Sequence, residues 1–343
     1  MNLWLAFFLS AVVSYFGCFV AIAFLRRFRI IDQPNQRSSH DKPIVRGGGV
    51  AVLIAAGVVG SLFVHSHYRP ELFWIVLAGT ILAAVSFVDD LCSLPQILRF
   101  GVHICAALFA LTTLGFAGST NASLLTTAFV AVVGFLWITG YTNAFNFMDG
   151  INGMAGMQVV TTGIGTALVA LSAGGSVDHP AIVLAIVLAG AGAGFLPHNF
   201  PRAHMFLGDV GSVPLGFFLA VFAFWLARDL GWWLLFAFGL LHGNFILDTS
   251  VTLARRIRNG ERWFEPHREH FYQRLLRAGL SHPFVTGLEG LIQVVVLSLV
   301  LVAVKMGWAA RITSVAIICL IWIAFFVYAE SKFRRSLVIE TLP

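Results

Sequence analysis

The sequence predicts an all-α, polytopic integral membrane helix bundle of about 11 transmembrane helices. Three observations lead there. Of the 343 residues, 58% are hydrophobic and 11% are Asp, Glu, Lys or Arg, against about 25% charged in soluble domains. Mean hydropathy is +0.86. The basic residues then divide unequally between alternate connections, 18 of the 22 falling on one side, which is the positive-inside pattern of a membrane protein. These features exclude a soluble globular protein, a disordered chain and a disulfide scaffold. The length leaves no room for a large soluble domain, so residues 1–343 read as one transmembrane unit.

The apolar runs follow in order. The first, 3–25, carries its charge after the apolar stretch, in Arg26-Arg27-Phe28-Arg29. A cleaved signal peptide has its charge before, so this run is read as a span whose N-terminus lies outside. Next come 48–65, 71–88 (closed by Asp89-Asp90), 99–116, 123–141, 154–173, 180–197 and 211–227. The run 231–253 is the least regular, because it contains His242 and Asp248. Runs 284–304 and 309–329 complete the set and place the C-terminus inside. Cys18, Cys92, Cys105 and Cys319 lie in or beside apolar runs without CxxC spacing and read as packing residues. A basic inside face suits anionic lipids and anionic substrates. Nucleic acid is the weaker reading, since the loops lack a compact domain to present a patch.

Polar residues collect in the inside connections, 26–47, 89–99, 142–153, 198–210 and 254–283, which hold most of the acids, whereas Glu71, Asp178 and Asp229 lie outside. Adjacent carboxylates such as Asp89-Asp90 repel unless a cation or proton sits between them, which suggests a metal or acid–base role; a solvated helix end is the plainer alternative. Asn146 and Asp149, three apart, share a face on a helical turn, although Asn and Asp in a Gly-rich stretch also form turns. Asp209, in Gly208-Asp209-Val-Gly211-Ser212, suits either an N-cap or a metal-bound carboxylate beside N–H groups that take phosphate. His267 and His270 flank Arg268 and fit a diphosphate contact better than zinc. Asp248, about one turn inside its run, reads equally as a structural or a functional acid.

Together and in order, these clusters resemble the bacterial polyprenyl-phosphate N-acetylhexosamine-1-phosphate transferases, glycosyltransferase family 4. Asn35-Gln-Arg-Ser-Ser-His40 with Arg46-Gly-Gly-Gly49, and His267-Arg-Glu-His270-Phe-Tyr-Gln-Arg274, look most like the O-antigen-initiating branch. The triple-histidine run of the peptidoglycan branch is absent. The resemblance implies transfer of a GlcNAc-, QuiNAc- or FucNAc-type sugar 1-phosphate from a UDP-sugar to undecaprenyl phosphate. UMP leaves, and the reaction starts lipid-linked O-antigen or cell-envelope polysaccharide synthesis at the cytoplasmic face of the inner membrane. It implies Asp89, Asp90, His267 and His270 as catalytic. Arg99, Asn143, Asp149, Asn152, Phe206 and Arg268 are implied at the substrates, with Phe206 stacking on uracil and Asn152 near the same base. It implies Mg²⁺ on Asp209 and Asn146, with Mn²⁺ as a substitute, membrane lipids around the bundle, no nucleic-acid partner, and room for a homodimer. For Asp248 it implies no role. The competing readings are a nucleotide-sugar or lipid-linked sugar transporter, which should hold its polar groups at mid-membrane on broken helices, and a non-catalytic scaffold. Neither accounts for acids gathered on one face.

Overall fold

The computed structural model describes residues 2–34, 42–64, 69–115, 123–262 and 267–340. The motif at 35–40 and the stretch 118–121 lie outside them. Among the described residues there are 13 helices: α1 (Leu3–Arg27), α2 (Gly49–Phe63), α3 (Pro70–Cys92), α4 (Gln96–Leu114), α5 (Leu124–Met148), α6 (Met154–Ser172), α7 (Pro180–Asn199), α8 (Asp209–Leu230), α9 (Trp233–Leu241), α10 (Gly243–Arg258), α11 (Phe271–Arg277), α12 (His282–Lys305) and α13 (Trp308–Glu340). Nine of them (α1, α3 to α8, α12 and α13) are long and apolar enough to cross a membrane. The chain is a multi-pass membrane protein.

Each apolar run of the sequence forms a helix, but two are not plain spans. The run 48–65 gives the 15-residue α2, about 22 Å long at 1.5 Å per residue and shorter than a 30 Å hydrocarbon core. The run 231–253 is broken at His242, where α9 and α10 meet at 79°. The apolar stretch there ends inside α10, which turns to carry Asp248, Arg255, Arg256 and Arg258. The α9–α10 pair counts as one span at most.

Helix α8 is the axis of the bundle, with 94% of its apolar stretch buried, against 22% for α1 and α5. Small residues let the backbones meet. A Cβ on Gly190 would sit 2.2 Å from the Phe7 carbonyl oxygen, and one on Gly194 would sit 2.1 Å from that of Ala11. The Ser10 and Ser14 hydroxyls donate to the Val187 and Ala191 carbonyls at 2.8 and 2.7 Å, closing the α1–α7 seam. In lipid such close approach and interhelical hydrogen bonding replace the hydrophobic drive that water supplies. The broken pair is pinned similarly: Asn244 donates to Gln158 (2.9 Å) and Glu289 (3.4 Å), and Gln293 also donates to Gln158 (3.2 Å).

A small sheet departs from the all-helical expectation. Strand β2 (Ile44–Arg46) pairs antiparallel with β1 (Ile31–Asp32) and parallel with β3 (Met205–Phe206). The Gly48 and Gly49 N–H groups continue the ladder, donating to the Phe206 and Leu207 carbonyls at 2.9 and 2.8 Å. Gly49 then packs against Gly211, whose Cα would lie 2.2 Å from a Cβ at residue 49. The sheet locks the connection between α1 and α2 to the start of α8.

Candidate active site

The acids at the end of α3 face the start of α8. Helix α3 stops where Ser93 enters the left-handed region (φ 53°) and donates its N–H to the Asp89 carbonyl at 2.9 Å. The Asp90 side chain is fully buried. It accepts the Asp209 and Val210 N–H groups at 3.1 and 3.0 Å and so caps α8. Arg46 bridges the two acids, with Nε 2.8 Å from Asp90 Oδ1 and Nη2 donating to Asp209 Oδ1 at 2.8 Å. Burial opposes the Arg46 charge, but Asp90, then Asp209 and Asp32, more than restore it and raise its pKa. Gly208 is glycine because its φ is +75° and a Cβ would lie 2.7 Å from Asp90 Oδ2.

Asp89 makes different bonds. Its Oδ1 accepts the Leu94 N–H at 2.6 Å, and its Oδ2 accepts Arg99 Nη1 at 3.0 Å. The same Arg99 nitrogen is 3.6 Å from Asp209 Oδ2. Two arginines therefore sit among the carboxylates of Asp89, Asp90 and Asp209.

The end of α5 completes this group. Asn146 Oδ1 accepts the Ser212 hydroxyl at 2.6 Å, tying α5 to α8. Asn143 faces His103 Nδ1 at 3.2 Å and donates to the Thr139 carbonyl at 2.8 Å. Asp149 follows as the C-cap. Burial first, then the charges of Asp209 and Asp90 against that of Arg46, push its pKa well up. Asp149 thus shares one electrostatic pocket with the other acids.

The next connection joins the segment bearing Phe206. Asn152 Nδ2 donates to the Pro201 carbonyl at 3.2 Å, Gly153 N–H donates to Asn199 Oδ1 at 2.6 Å, and Asn199 Nδ2 donates to the Met205 carbonyl at 2.9 Å. The ends of α5 and α7 are therefore neighbours, as a shared base contact by Asn152 and Phe206 requires.

Asp248 organises the last connection. It accepts the Phe271 and Tyr272 N–H groups at 3.0 and 3.2 Å, capping α11, and lies 3.0 Å from His270 Nδ1. Its position is accounted for by this helix cap. The Tyr272 hydroxyl donates to the Phe147 carbonyl at 3.1 Å, and the His270 ring stacks near Phe147 at 6.2 Å. This sets His270 beside the connection that carries Asp149. The His267 and His270 ring centroids lie 4.9 Å apart. Burial first, then His270 and Arg256, lowers the His267 pKa to about 4, so by itself it is a neutral imidazole at pH 7. Arg268 is on the same loop, its carbonyl accepting from Arg277 at 3.4 Å.

Of the residues singled out in the sequence, Asp89, Asp90, Arg99, Asn146, Asp149 and Asp209 converge, with Asn143 alongside. Asn152 and Phe206 form one flank, and His267, Arg268 and His270 another. Sequence reasoning gave no role to Arg46, although it quoted the run that holds it. The available signal was a basic residue directly before a glycine-rich helix start.

Among the described residues, no three His, Cys, Asp or Glu side chains form a ready metal cage. The donor set still fits Mg²⁺. It consists of hard oxygens, and four carboxylates (Asp89, Asp90, Asp149 and Asp209) outnumber the two guanidiniums beside them.

The Glycosyl transferase family 4 model matches residues 72–227. A decaprenyl-phosphate N-acetylglucosaminephosphotransferase of Mycobacterium tuberculosis is 30% identical over 311 residues, covering 80% of this chain and 75% of that protein. An undecaprenyl-phosphate alpha-N-acetylglucosaminyl 1-phosphate transferase of Thermotoga maritima is 25% identical over 263 residues (76% and 78%). A phospho-N-acetylmuramoyl-pentapeptide-transferase of Streptococcus mutans is 25% identical over 281 residues (72% and 78%). With the acids, asparagines and aromatic of these connections gathered beside the start of α8, the chain belongs to the polyprenyl-phosphate N-acetylhexosamine-1-phosphate transferases of glycosyl transferase family 4.

Proposed function

We propose that this protein transfers an N-acetylhexosamine 1-phosphate from a UDP-sugar to undecaprenyl phosphate, releases UMP, and so starts a lipid-linked surface polysaccharide such as O-antigen. The observation that carries the reading is the packing of Asp89, Asp90 and Asp209 around Arg46 and Arg99 where α3 ends and α8 begins. Such a site meets both a lipid-borne phosphate and a soluble diphosphate. The basic residues of these connections support a location at the cytoplasmic face of the inner membrane, with the N-terminus periplasmic.

The reaction exchanges one phosphoanhydride for another and is near thermoneutral. Its difficulty is bringing two anions together. Asp209 and Asn146 would hold Mg²⁺, which when bound would supply positive charge against the donor diphosphate. Arg99 and Arg268 supply fixed positive charge as the bond to UMP breaks. His267 contributes a hydrogen bond rather than charge. Asp90 is committed to Arg46 and to the α8 N-terminus, so Asp89 takes the acceptor proton. That phosphate has a second pKa near 6, by analogy with phosphoserine, and needs no strong base. Phe206 and Asn152 take the uracil. The test is UMP release by purified protein with undecaprenyl phosphate, Mg²⁺ and a panel of UDP-GlcNAc, UDP-QuiNAc and UDP-FucNAc. Absence of UMP with every donor refutes the proposal.

A further inference from the structure

A second basic feature lies on the far side of α11 from the aspartates. Two contiguous cavities of about 610 and 650 Å³ form one trough between α10, α11 and α13. Phe271 lines the trough, while its neighbours His270 and Tyr272 face the candidate active site.

The trough changes character along its length. On α10 it runs from Val251 through Arg255 to Arg258, and on α13 from Val327 to Arg334 and Arg335. In both helices seven residues, about 10 Å, separate the apolar end from the basic end. Val327 is 63% exposed, as a lipid-facing residue is. On α13 the change comes where the long apolar stretch of the span gives way to Glu330-Ser-Lys-Phe-Arg-Arg335. This is the level at which phospholipid headgroups sit.

Its charge is unbalanced. The lining includes Arg255, Arg258, Arg274, Arg334 and Arg335 against Glu330 alone. Glu330 is shared by Arg274, Arg334 and, at 3.8 Å, Arg255, and Arg274 also pairs with Glu269 at 2.7 Å. No ion pair engages Arg258 or Arg335 among the described residues. Arg274 is 8% exposed, and its Nε has no hydrogen-bond partner.

We propose that this trough is a binding site for one anionic glycerophospholipid of the surrounding leaflet, with its headgroup phosphate on Arg258, Arg334 and Arg335 and an acyl chain along Val251, Phe271 and Val327. A free phosphate uses only the basic half. The polyprenyl phosphate acceptor must reach Asp89, from which α11 divides the trough. A positive charge at the membrane surface attracts anionic lipid by about 1 kcal/mol per Arg, or roughly fivefold in affinity.

The test is native mass spectrometry of the full chain in detergent, titrated with dioleoyl phosphatidylglycerol or dioleoyl phosphatidylcholine. The expected result is one tightly retained phosphatidylglycerol, no equivalent phosphatidylcholine, and no displacement by millimolar inorganic phosphate. The triple variant R258Q/R334Q/R335Q should weaken retention on the order of 100-fold, while the R26Q/R27Q control at the end of α1 keeps it. Val327→Glu, which leaves every arginine in place, should weaken retention as well and keeps the proposal testable if the triple variant is unstable. Equal binding of the two lipids, wild-type retention by both trough variants, or equal loss in the control overturns the site. Displacement by phosphate makes it a simple anion site, and stoichiometric displacement by undecaprenyl phosphate makes it an acceptor site. Either result overturns the assignment.

Discussion

Asp90→Asn should destabilise the fold well beyond Asp89→Asn, although the two acids are adjacent. Asp90 Oδ1 takes the Asp209 N–H and Arg46 Nε, and Oδ2 takes the Val210 N–H. An asparagine offers one oxygen, so its amide nitrogen opposes a backbone donor. A buried donor left without a partner costs about 1–3 kcal/mol. Breaking a buried ion pair costs about 3–5 kcal/mol, less here because Arg46 is 33% exposed and keeps Asp209. The combined loss should be about 3 kcal/mol, several degrees of melting temperature. At position 89 an asparagine oxygen can still accept the Leu94 N–H, and the lost pair is with Arg99, 37% exposed. Asp89 is itself only 6% exposed, but Arg99 keeps Asp209 at 3.6 Å and no backbone donor is stranded, so the loss should be about 1 kcal/mol. Thermal unfolding of both variants in one detergent, with UMP release measured alongside, separates the cases. Asp89→Asn should melt close to the parent and lose turnover, and Asp90→Asn should lose both. A parental melting temperature for Asp90→Asn, or an equal or larger drop for Asp89→Asn, would refute the division of roles.

Asp209→Ala should abolish UMP release and any Mg²⁺ dependence of melting; near-normal turnover at low Mg²⁺ removes the metal role. Phe206→Ala should raise the KM for UDP-sugar on the order of tenfold, since a base stacked on an aromatic is worth about 1–3 kcal/mol, with a smaller effect on the acceptor; steady-state kinetics in both substrates checks this. His267 has a depressed pKa, so unfolding takes up a proton as the pH falls from about 6.5 towards 4. Its contribution is full above pH 6.5 and is lost below. His267→Gln should therefore lose less melting temperature than the parent between pH 7 and pH 5, and parallel curves would contradict the shift. Asp248→Asn should lower stability through the α11 cap and cut turnover without changing UMP affinity, which calorimetry can read.

What the sequence revealed and what it hid follow from the range of the interactions. Spans are one-dimensional: about 20 apolar residues in a row define one, so the nine long apolar helices were legible. The 79° break at His242 was not, because apolar residues continue across it and no proline marks it. Strands of two or three residues carry no periodicity, and the sheet was invisible for that reason. The acids were legible as a population, since their gathering on alternate connections survives without coordinates. Their separate tasks were not. Asp89 and Asp90 are neighbours in the chain, but a helix turns successive side chains by about 100°. One therefore points to Arg99 and the other to the N-terminus of α8, 119 residues away. Arg46 escaped notice because its partner Asp209 is 163 residues distant. Asp248 reads as an isolated acid until the chain returns 22 residues later with His270. In each case the residue type was suggestive and the partner decided the role. A polar residue in a membrane bundle acquires its function from the helix end it meets, and only the fold supplies that end.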